Sequence, residues 1–319
     1  MQLRKHALLL NSGLLLNCAA FVMGFVHVLP VHATGVKADE NTVYRPTGKG
    51  WGEIDPTPGA AERAQGLRPG GGTGIYYHGG PLLNRSTGAN VYTIWYGDWS
   101  GNTATSILPN LLSHIGGSPY FNINTTYYDG SALHVTNVVN SLGSTNDAYS
   151  QGSVLSDNGV EAVVSQAISS GALPTDSNGV YFVLTSADVV ESSGFCTQYC
   201  GWHTSAAIAG ADIKFAFVGN PDQCPAACEA QSTSPNNNAG ADGMASVIAH
   251  ELEEAVTDPD LNAWYDNQGY ENADKCAWTF GSTSTASNGS QYNMTLGANQ
   301  YLIQQNWVNA GSGGCALSF

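Results

Sequence analysis

One nearly continuous apolar stretch, GVYFVLTS at residues 179–186, constrains the fold most strongly. A strand with apolar side chains on both faces must lie in a sheet that other layers cover on both sides. Strands are also predicted at 90–99, 132–139 and 212–220, and helices at 104–115 and in the second half of 153–171. This alternation predicts an α/β domain, a layered and mostly parallel or mixed sheet with flanking helices.

The first 33 residues have the pattern of a secretory signal peptide. A positively charged start precedes an apolar run over residues 7–30, and VHA at 31–33 fits a small-residue cleavage site. A retained membrane anchor is the alternative, although polar residues interrupt the run. Residues 34–74 are rich in glycine and proline without a regular repeat, which predicts a flexible linker or a pro-segment. Residues 75–319 then form one well-buried domain.

The charge balance limits the possible partners. The chain has 10 lysines and arginines against 25 aspartates and glutamates, and removal of the signal leaves a net charge of −17 because two bases and no acids are lost. Phosphates would be repelled, so we expect no nucleic-acid partner and no anionic membrane surface after signal removal. Divalent cations, basic partners and neutral glycans remain. The sequence does not indicate an oligomeric state.

An even number of cysteines follows the predicted signal: Cys196, Cys200, Cys224, Cys228, Cys276 and Cys315. They predict three disulfides that staple loops in an oxidising compartment, with fifteen pairings open. The two Cys-x3-Cys pairs leave a four-cysteine zinc site as the alternative. We therefore expect an extracellular, periplasmic or cell-wall protein. His203, beside one cysteine pair, is assigned a structural role.

The segment AHELEEAVTDPD at 249–260 contains one histidine and five carboxylates. Asp242 is predicted to cap the helix that carries it. At helical spacing His250 and Glu254 lie on one face, one turn apart, with Glu251 beside them. This is the geometry of the H-E-x-x-H zinc helix with glutamate in place of the second histidine, which predicts a zincin-like active helix.

The acidic segment continues beyond this helix. Eight acids and no base lie between Glu251 and Asp274. Like charges gathered in this way are costly unless a cation neutralises them. We expect His250 and Glu254 to bind a divalent ion with Glu271 or Asp274 as the third protein ligand. Zinc suits the helix motif, while manganese or calcium suits the carboxylate oxygens.

Two functions are compatible with such a site. In the first, Glu251 is the general base toward a metal-bound water in peptide or amide hydrolysis. In the second, the protein is a non-catalytic extracellular binding or signalling protein with a structural ion or none, and its partner is a cell-wall component. A solvated, purely structural acidic face is a third interpretation, and it suits Glu253 and Asp266.

Several segments resemble one known family in the same order along the chain. They include YYHGGPLL, VYTIWYGDWS, FCTQYCGWH, GADGMASVIAHELEEAVTDPDLNAWYD and ENADKCAW. They are similar to the EXORDIUM, or phosphate-induced protein, family over roughly residues 75–319. The resemblance implies a secreted protein, as in plant cell walls and microbial relatives, without a settled enzymatic activity. It maps the family's His-Glu-x-x-Glu pattern onto His250, Glu251 and Glu254, and its Glu-x-x-Asp-x-Cys block onto Glu271, Asp274 and Cys276.

Overall fold

The computed structural model describes residues 45–49 and 74–319. The predicted signal at 1–33 and most of the segment at 34–74 lie outside the described residues, so their interpretation stays a prediction. Within the described ranges, no helix combines the length and the apolar character needed to cross a membrane.

A mixed sheet of five strands forms the centre of the described part of the chain. The strands are β1 (Ala89–Tyr96), β2 (Val139–Asp147), β3 (Gly179–Thr185), β4 (Gly201–Ile208) and β5 (Ala211–Val218). Their order across the sheet is β2-β1-β3-β5-β4, with β4 antiparallel to β5 and all other neighbours parallel. Every residue of β3 is buried, as its apolar run predicts. The predicted α/β class with a mixed sheet is confirmed.

Three helices of two turns or more flank this sheet within the described residues: α1 (Ala104–His114), α2 (Asp157–Ser169) and α3 (Ala239–Thr257). Helix α3 packs against α1 and against β4 and β5, and nearly all of its residues are buried. The predicted cap at Asp242 is wrong. Asn238 caps α3 through its side-chain oxygen, which accepts a hydrogen bond from the amide of Ala241. Asp242 lies in the first turn and accepts hydrogen bonds from Asn236 instead.

The observed strands differ from the predicted ones in two places. The strand predicted at 132–139 is wrong, because Ala132 has a left-handed backbone with φ 60° and the sheet strand begins only at Val139. Strand β4 was not predicted, since its sequence GWHTSAAI is short of large apolar residues. It forms a hairpin with β5 through Ala209 and Gly210, whose φ angles of 52° and 77° suit a two-residue turn.

Short elements complete the described chain. Antiparallel pairs join Tyr76–Tyr77 to Trp264–Tyr265, Ser284–Thr285 to Gln291–Tyr292, Met294–Leu296 to Asn299–Tyr301, and Asn306–Val308 to Gly314–Ala316. A parallel pair joins Val154–Leu155 to Val190–Glu191. Short helical segments of three to six residues lie at Phe121–Thr126, Pro221–Gln223, Pro225–Cys228 and Asp274–Cys276.

Three disulfides join the six cysteines at positions 196–315, all of which are described, and the prediction of three disulfides is confirmed. The pairs are Cys196–Cys224, Cys200–Cys228 and Cys276–Cys315. The first two link the segment before β4 to the segment after β5. The alternative four-cysteine zinc site is thereby excluded, because a sulfur in a disulfide is not a thiolate ligand. The third disulfide anchors the helical turn that carries Asp274.

Candidate metal centre

The structure brings the five predicted site residues together and adds a sixth. We call this group the inner cluster: His203, His250, Glu251, Glu254, Glu271 and Asp274. Strand β4 supplies the first residue, helix α3 the next three, and the segment after α3 the last two. All six are buried, with at most 3% of their surface exposed. Two imidazoles and four carboxylates therefore share one interior site.

Helix α3 and the segment after it form one side of the inner cluster. His250 Nε2 lies 3.1 Å from Glu254 Oε1 and 3.7 Å from Asp274 Oδ1. The amide of Asp274 donates a hydrogen bond to Glu254 Oε1 at 3.0 Å, and the amide of Glu271 donates to Asp274 Oδ2 at 3.2 Å. The one-turn spacing on α3 thus places His250 beside Glu254, and backbone amides of the segment after α3 orient the carboxylates of Glu254 and Asp274.

His203 forms the opposite side of the inner cluster. Its Nε2 lies 3.3 Å from both carboxylate oxygens of Glu271 and 3.7 Å from Glu254 Oε2. The two oxygens of Glu254 therefore face different imidazoles. The structural role assigned to His203 from its cysteine neighbour missed this position. The sequence feature that could have placed His203 is the Ala-Gly turn at 209–210. This turn pairs β4 with β5 and sets His203 opposite Ala216.

Close packing of α3 on β4 brings Glu251 into the same interior. Gly201 of β4 lies against this carboxylate, and a Cβ atom built on the glycine would lie 3.1 Å from Glu251 Oε1. Such a contact is tighter than an ordinary van der Waals distance, so the glycine lets helix and strand approach. Glu251 shares with His203 and Glu254 a second group of possible ligand atoms, all within 4.8 Å of one another.

The electrostatics of the inner cluster are those of charges removed from water. Burial raises the pKa of Glu271 well above its ordinary value, and the neighbouring carboxylates, Glu254 first, raise it further. Burial lowers the pKa of His203 to about 3, and His250 adds to the decrease. The contact between His203 and Glu271 therefore involves a neutral imidazole near pH 7 and is not an ion pair, despite its short distance.

The solvated face considered for Glu253 and Asp266 is wrong, because both residues are buried. Glu253 accepts a hydrogen bond from Asn306 Nδ2 at 2.5 Å, and burial raises its pKa well above the ordinary value. Asp266 lies 2.9 Å from Lys275 Nζ. Glu253 is buried because nearly every residue of α3 is covered by protein, including those on the side of the helix away from His250.

Comparison with known proteins identifies the family. Residues 75–315 match the family model described as the phosphate-induced protein 1 conserved region. The chain belongs to the EXORDIUM, or phosphate-induced protein, family. Protein EXORDIUM-like 5 of Arabidopsis thaliana is 32% identical over 274 residues, covering 73% of this chain and 75% of that relative. Protein EXORDIUM-like 3 of the same plant is 32% identical over 272 residues, covering 73% and 80%.

A tobacco relative belongs to the same group. Protein PHOSPHATE-INDUCED 1 of Nicotiana tabacum is 28% identical over 224 residues, covering 61% of this chain and 68% of that relative. No solved structure matches the chain. The region that matches the EXORDIUM family model contains every residue of the inner cluster. The candidate metal centre thus lies in the family domain itself.

The donor geometry of this EXORDIUM-family domain fits a metal ion. A tetrahedral ion with ligand bonds of about 2.0–2.2 Å keeps its ligand atoms about 3.3–3.6 Å apart. The distances from His250 Nε2 to Glu254 Oε1 and Asp274 Oδ1, 3.1 and 3.7 Å, bracket this spacing. The distance of 3.7 Å from His250 Nε2 to Asp274 Oδ1 is longer than a hydrogen bond. Imidazole and carboxylate donors are those of zinc and manganese sites, and carboxylates alone also suit calcium.

Proposed function

We propose that this EXORDIUM-family protein binds a divalent metal ion at the inner cluster. His250, Glu254 and Asp274 are the ligands, while His203 and Glu271 lie on the other side of the shared carboxylate. The observation that carries the proposal is the burial of two imidazoles and four carboxylates from three separate segments in one interior site. Zinc is the first candidate because of the helix motif, and manganese and calcium are the alternatives.

The proposal has an energetic basis. A carboxylate removed from water is costly, and it either takes up a proton or requires a compensating positive charge. The raised pKa of Glu271 reports this cost in the metal-free chain. A bound divalent ion would add positive charge beside these carboxylates and favour their ionised form, so its binding energy would add to the stability of the fold.

Metal-dependent hydrolysis of a peptide or amide is a second candidate function. It is favoured by Glu251, which lies in the motif next to His250 and inside the same cluster. A divalent ion held by His250, Glu254 and Asp274 would supply Lewis-acid chemistry toward a carbonyl and a water molecule. Glu251 would accept the proton of the attacking water and pass it to the leaving nitrogen. The mixed sheet followed by a metal helix is similar to zinc-dependent peptidases, an analogy of fold only.

The burial of Glu251 favours ion binding over hydrolysis. Glu251 is completely buried, with no exposed surface in the described conformation. A closed site of this kind is typical of a structural ion, whereas catalysis needs an open ligand position. Ion binding is therefore the primary proposal, and hydrolysis requires an additional opening step. A non-catalytic extracellular protein that recognises a peptide or a cell-wall component is compatible with the closed site, with the disulfides and with the family.

Metal analysis of the purified protein tests the primary proposal. We expect about one equivalent of a divalent ion per chain, reduced to less than about a tenth by His250→Ala or Glu254→Gln. Asp212→Asn, an exposed position outside the cluster, is the matched control and retains the ion. Circular dichroism verifies that each variant is folded, and His250→Gln replaces His250→Ala if that variant is not. A folded wild type without bound ion contradicts the proposal.

Glu251→Gln separates the two candidate functions. If Glu251 is a general base, this variant keeps the ion and loses any hydrolysis of a peptide library by at least about a hundredfold. If Glu251 is itself a ligand in the second group with His203, the variant loses the ion, and His203→Ala does the same. Hydrolysis that is unchanged in Glu251→Gln rules out the catalytic role.

A further inference from the structure

A short segment before the family domain lies along the free edge of the sheet. We call residues 45–49 the strap. Its burial alternates, with Pro46 and Gly48 buried and Arg45 and Thr47 exposed, so one face of this short segment is covered. Lys49 forms an antiparallel bridge with Trp202 of the edge strand β4. Such an edge offers unpaired backbone groups to any extended chain.

A backbone hydrogen bond holds the strap on this edge. The amide of His203 donates to the carbonyl of Gly48 at 2.9 Å. At the other end of the strap, the carbonyl of Arg45 packs on Gly269, where a Cβ atom would lie only 3.0 Å from it. The strap therefore runs from the segment that precedes Glu271 to strand β4. It binds the backbone amide of His203, whose side chain belongs to the inner cluster.

The last residue of the strap enters a pocket of its own, which we call the lysine pocket. Lys49 Nζ lies 2.6 Å from Asp157 Oδ2 and 2.9 Å from Ser193 Oγ. The same ammonium group lies 5.2 Å from the ring centre of Tyr199 and 5.7 Å from that of Trp202. A carboxylate at one end and two aromatic faces along the sides are the elements that recognise a cationic side chain.

The lysine pocket is built into the fold. Glu191, which is 3% exposed, accepts hydrogen bonds from Ser193 Oγ at 2.7 Å and from Tyr199 OH at 2.6 Å. Asp157 Oδ1 is a second acceptor within reach of the same Ser193 hydroxyl. These buried contacts orient the polar atoms of the pocket through groups of the family domain. A lysine or arginine from another chain meets the same arrangement.

We propose that the outer edge of β4, together with the lysine pocket, is a binding site for an extended polypeptide that carries a lysine or an arginine. The strap fills this site in the intact chain. Main-chain pairing with β4 supplies affinity for any extended peptide, and the pocket supplies the selection for a basic side chain. The strong negative charge of the chain favours the same class of partner. A peptide bound here lies beside the candidate metal centre, yet its binding requires no ion.

The fit of the strap suggests how to remove it. Gly48 has φ 69°, a left-handed backbone that side chains rarely adopt, and a Cβ atom there would overlap the carbonyl oxygen of His203. Gly48→Val therefore dislodges the strap while every residue of the lysine pocket stays in place. Lys49→Glu weakens the strap in a second way, since it sets a carboxylate against Asp157 without altering the backbone.

Binding of a synthetic peptide tests the proposal. The probe is the free peptide VYRPTGKGW, residues 43–51 of the chain, measured by calorimetry against the purified full-length protein. We expect Gly48→Val to bind it at least about tenfold more tightly than the wild type, whose own strap competes. A matched peptide with glutamate in place of the lysine should bind at least about tenfold more weakly to the same variant.

Further arms of the experiment give the outcomes that overturn the proposal. Equal binding by wild type and Gly48→Val, or equal binding of both peptides, contradicts it. If Gly48→Val does not fold, the same comparison is made with Lys49→Glu. Asp157→Asn in the variant background should weaken binding by about fivefold, and a lack of effect excludes the pocket. The titration is repeated with a chelator, so a failure of metal binding at the inner cluster leaves its result unaffected.

Discussion

Five of the six residues of the inner cluster and the two lysine-paired acids, Asp260 and Asp266, come from the same acidic stretch of the chain, residues 249–274. Lys275 Nζ lies 2.9 Å from Asp266, and Lys214 Nζ lies 3.2 Å from Asp260. In the inner cluster, by contrast, carboxylate oxygens lie 3.1–3.7 Å from imidazole nitrogens.

The difference lies in the charge that each partner brings. A lysine ammonium is positive at any physiological pH, whereas a histidine buried like His203, with its pKa lowered to about 3, is neutral. The lysines therefore place a positive charge beside Asp260 and Asp266, whereas His203 places none beside Glu254 and Glu271. Two regions with similar composition thus have different requirements, and three measurements test this contrast.

The largest expected effect is a dependence of stability on pH in the metal-free protein. Burial raises the pKa of Asp258 from 3.8 to about 7 and that of Glu271 well above 4.5. The folded chain then holds protons that the unfolded chain releases, so this contribution is full below about pH 4 and is lost as pH rises. We expect Asp258 alone to lower the free energy of unfolding by roughly 3 kcal/mol between pH 5 and pH 8, and Glu271 to add to this decrease in the same direction.

Urea denaturation at four pH values measures this change. With zinc bound beside Glu271, this carboxylate should already be ionised in the folded state, so its share of the decrease should disappear while that of Asp258 remains. A thousandfold excess of zinc over its dissociation constant adds about 4 kcal/mol at neutral pH. A metal-free protein whose stability is constant or rises over this range would mean that the inner cluster balances its own charge.

An effect of about 3 kcal/mol is expected from Asp266→Ala, because it leaves Lys275 buried without its carboxylate. Asp266→Asn is the matched variant. It keeps an oxygen for the amides of Gln268 and Tyr270, so it should cost less. Both destabilisations should be the same with zinc and with a chelator in denaturation experiments. If the metal content falls together with stability, the two acidic regions are coupled rather than independent.

The smallest effect is expected from Asp212→Asn. Asp212 pairs with Lys214, but its side chain is 55% exposed, and the same lysine also contacts Asp260. An exposed ion pair contributes below about 1 kcal/mol. Thermal unfolding should therefore show a shift of only a few degrees. A loss as large as that of Asp266→Ala would show that exposure is a poor guide to which acids need a partner.

Local patterns predicted much of this molecule. The apolar run at 179–186 predicted a buried central strand, and the helical spacing of His250 and Glu254 predicted that they share one face. What escaped prediction was non-local. The cap at Asn238 depends on where the preceding loop lies, and β4 is recognisable mainly through its pairing with β5.

The burial of Glu253 also escaped prediction, because a charged residue on a helix is ordinarily assigned to the solvent side. The same holds for the pairing of Asp266 with Lys275, which are separated by a loop whose course the sequence does not reveal. In each case the missing information was the position of a second segment, not the chemistry of the residue.

Residue type and spacing along the chain were enough to specify the fold class, the number of disulfides and a helix with a histidine and a glutamate on one face, since these depend on periodicity and on local chemistry. The tertiary structure decided which cysteines pair, that His203 faces Glu254 and Glu271, and that residues 45–49 lie on the edge of the sheet. The physical reason is that contacts between distant segments depend on how the layers pack, which no short-range pattern encodes.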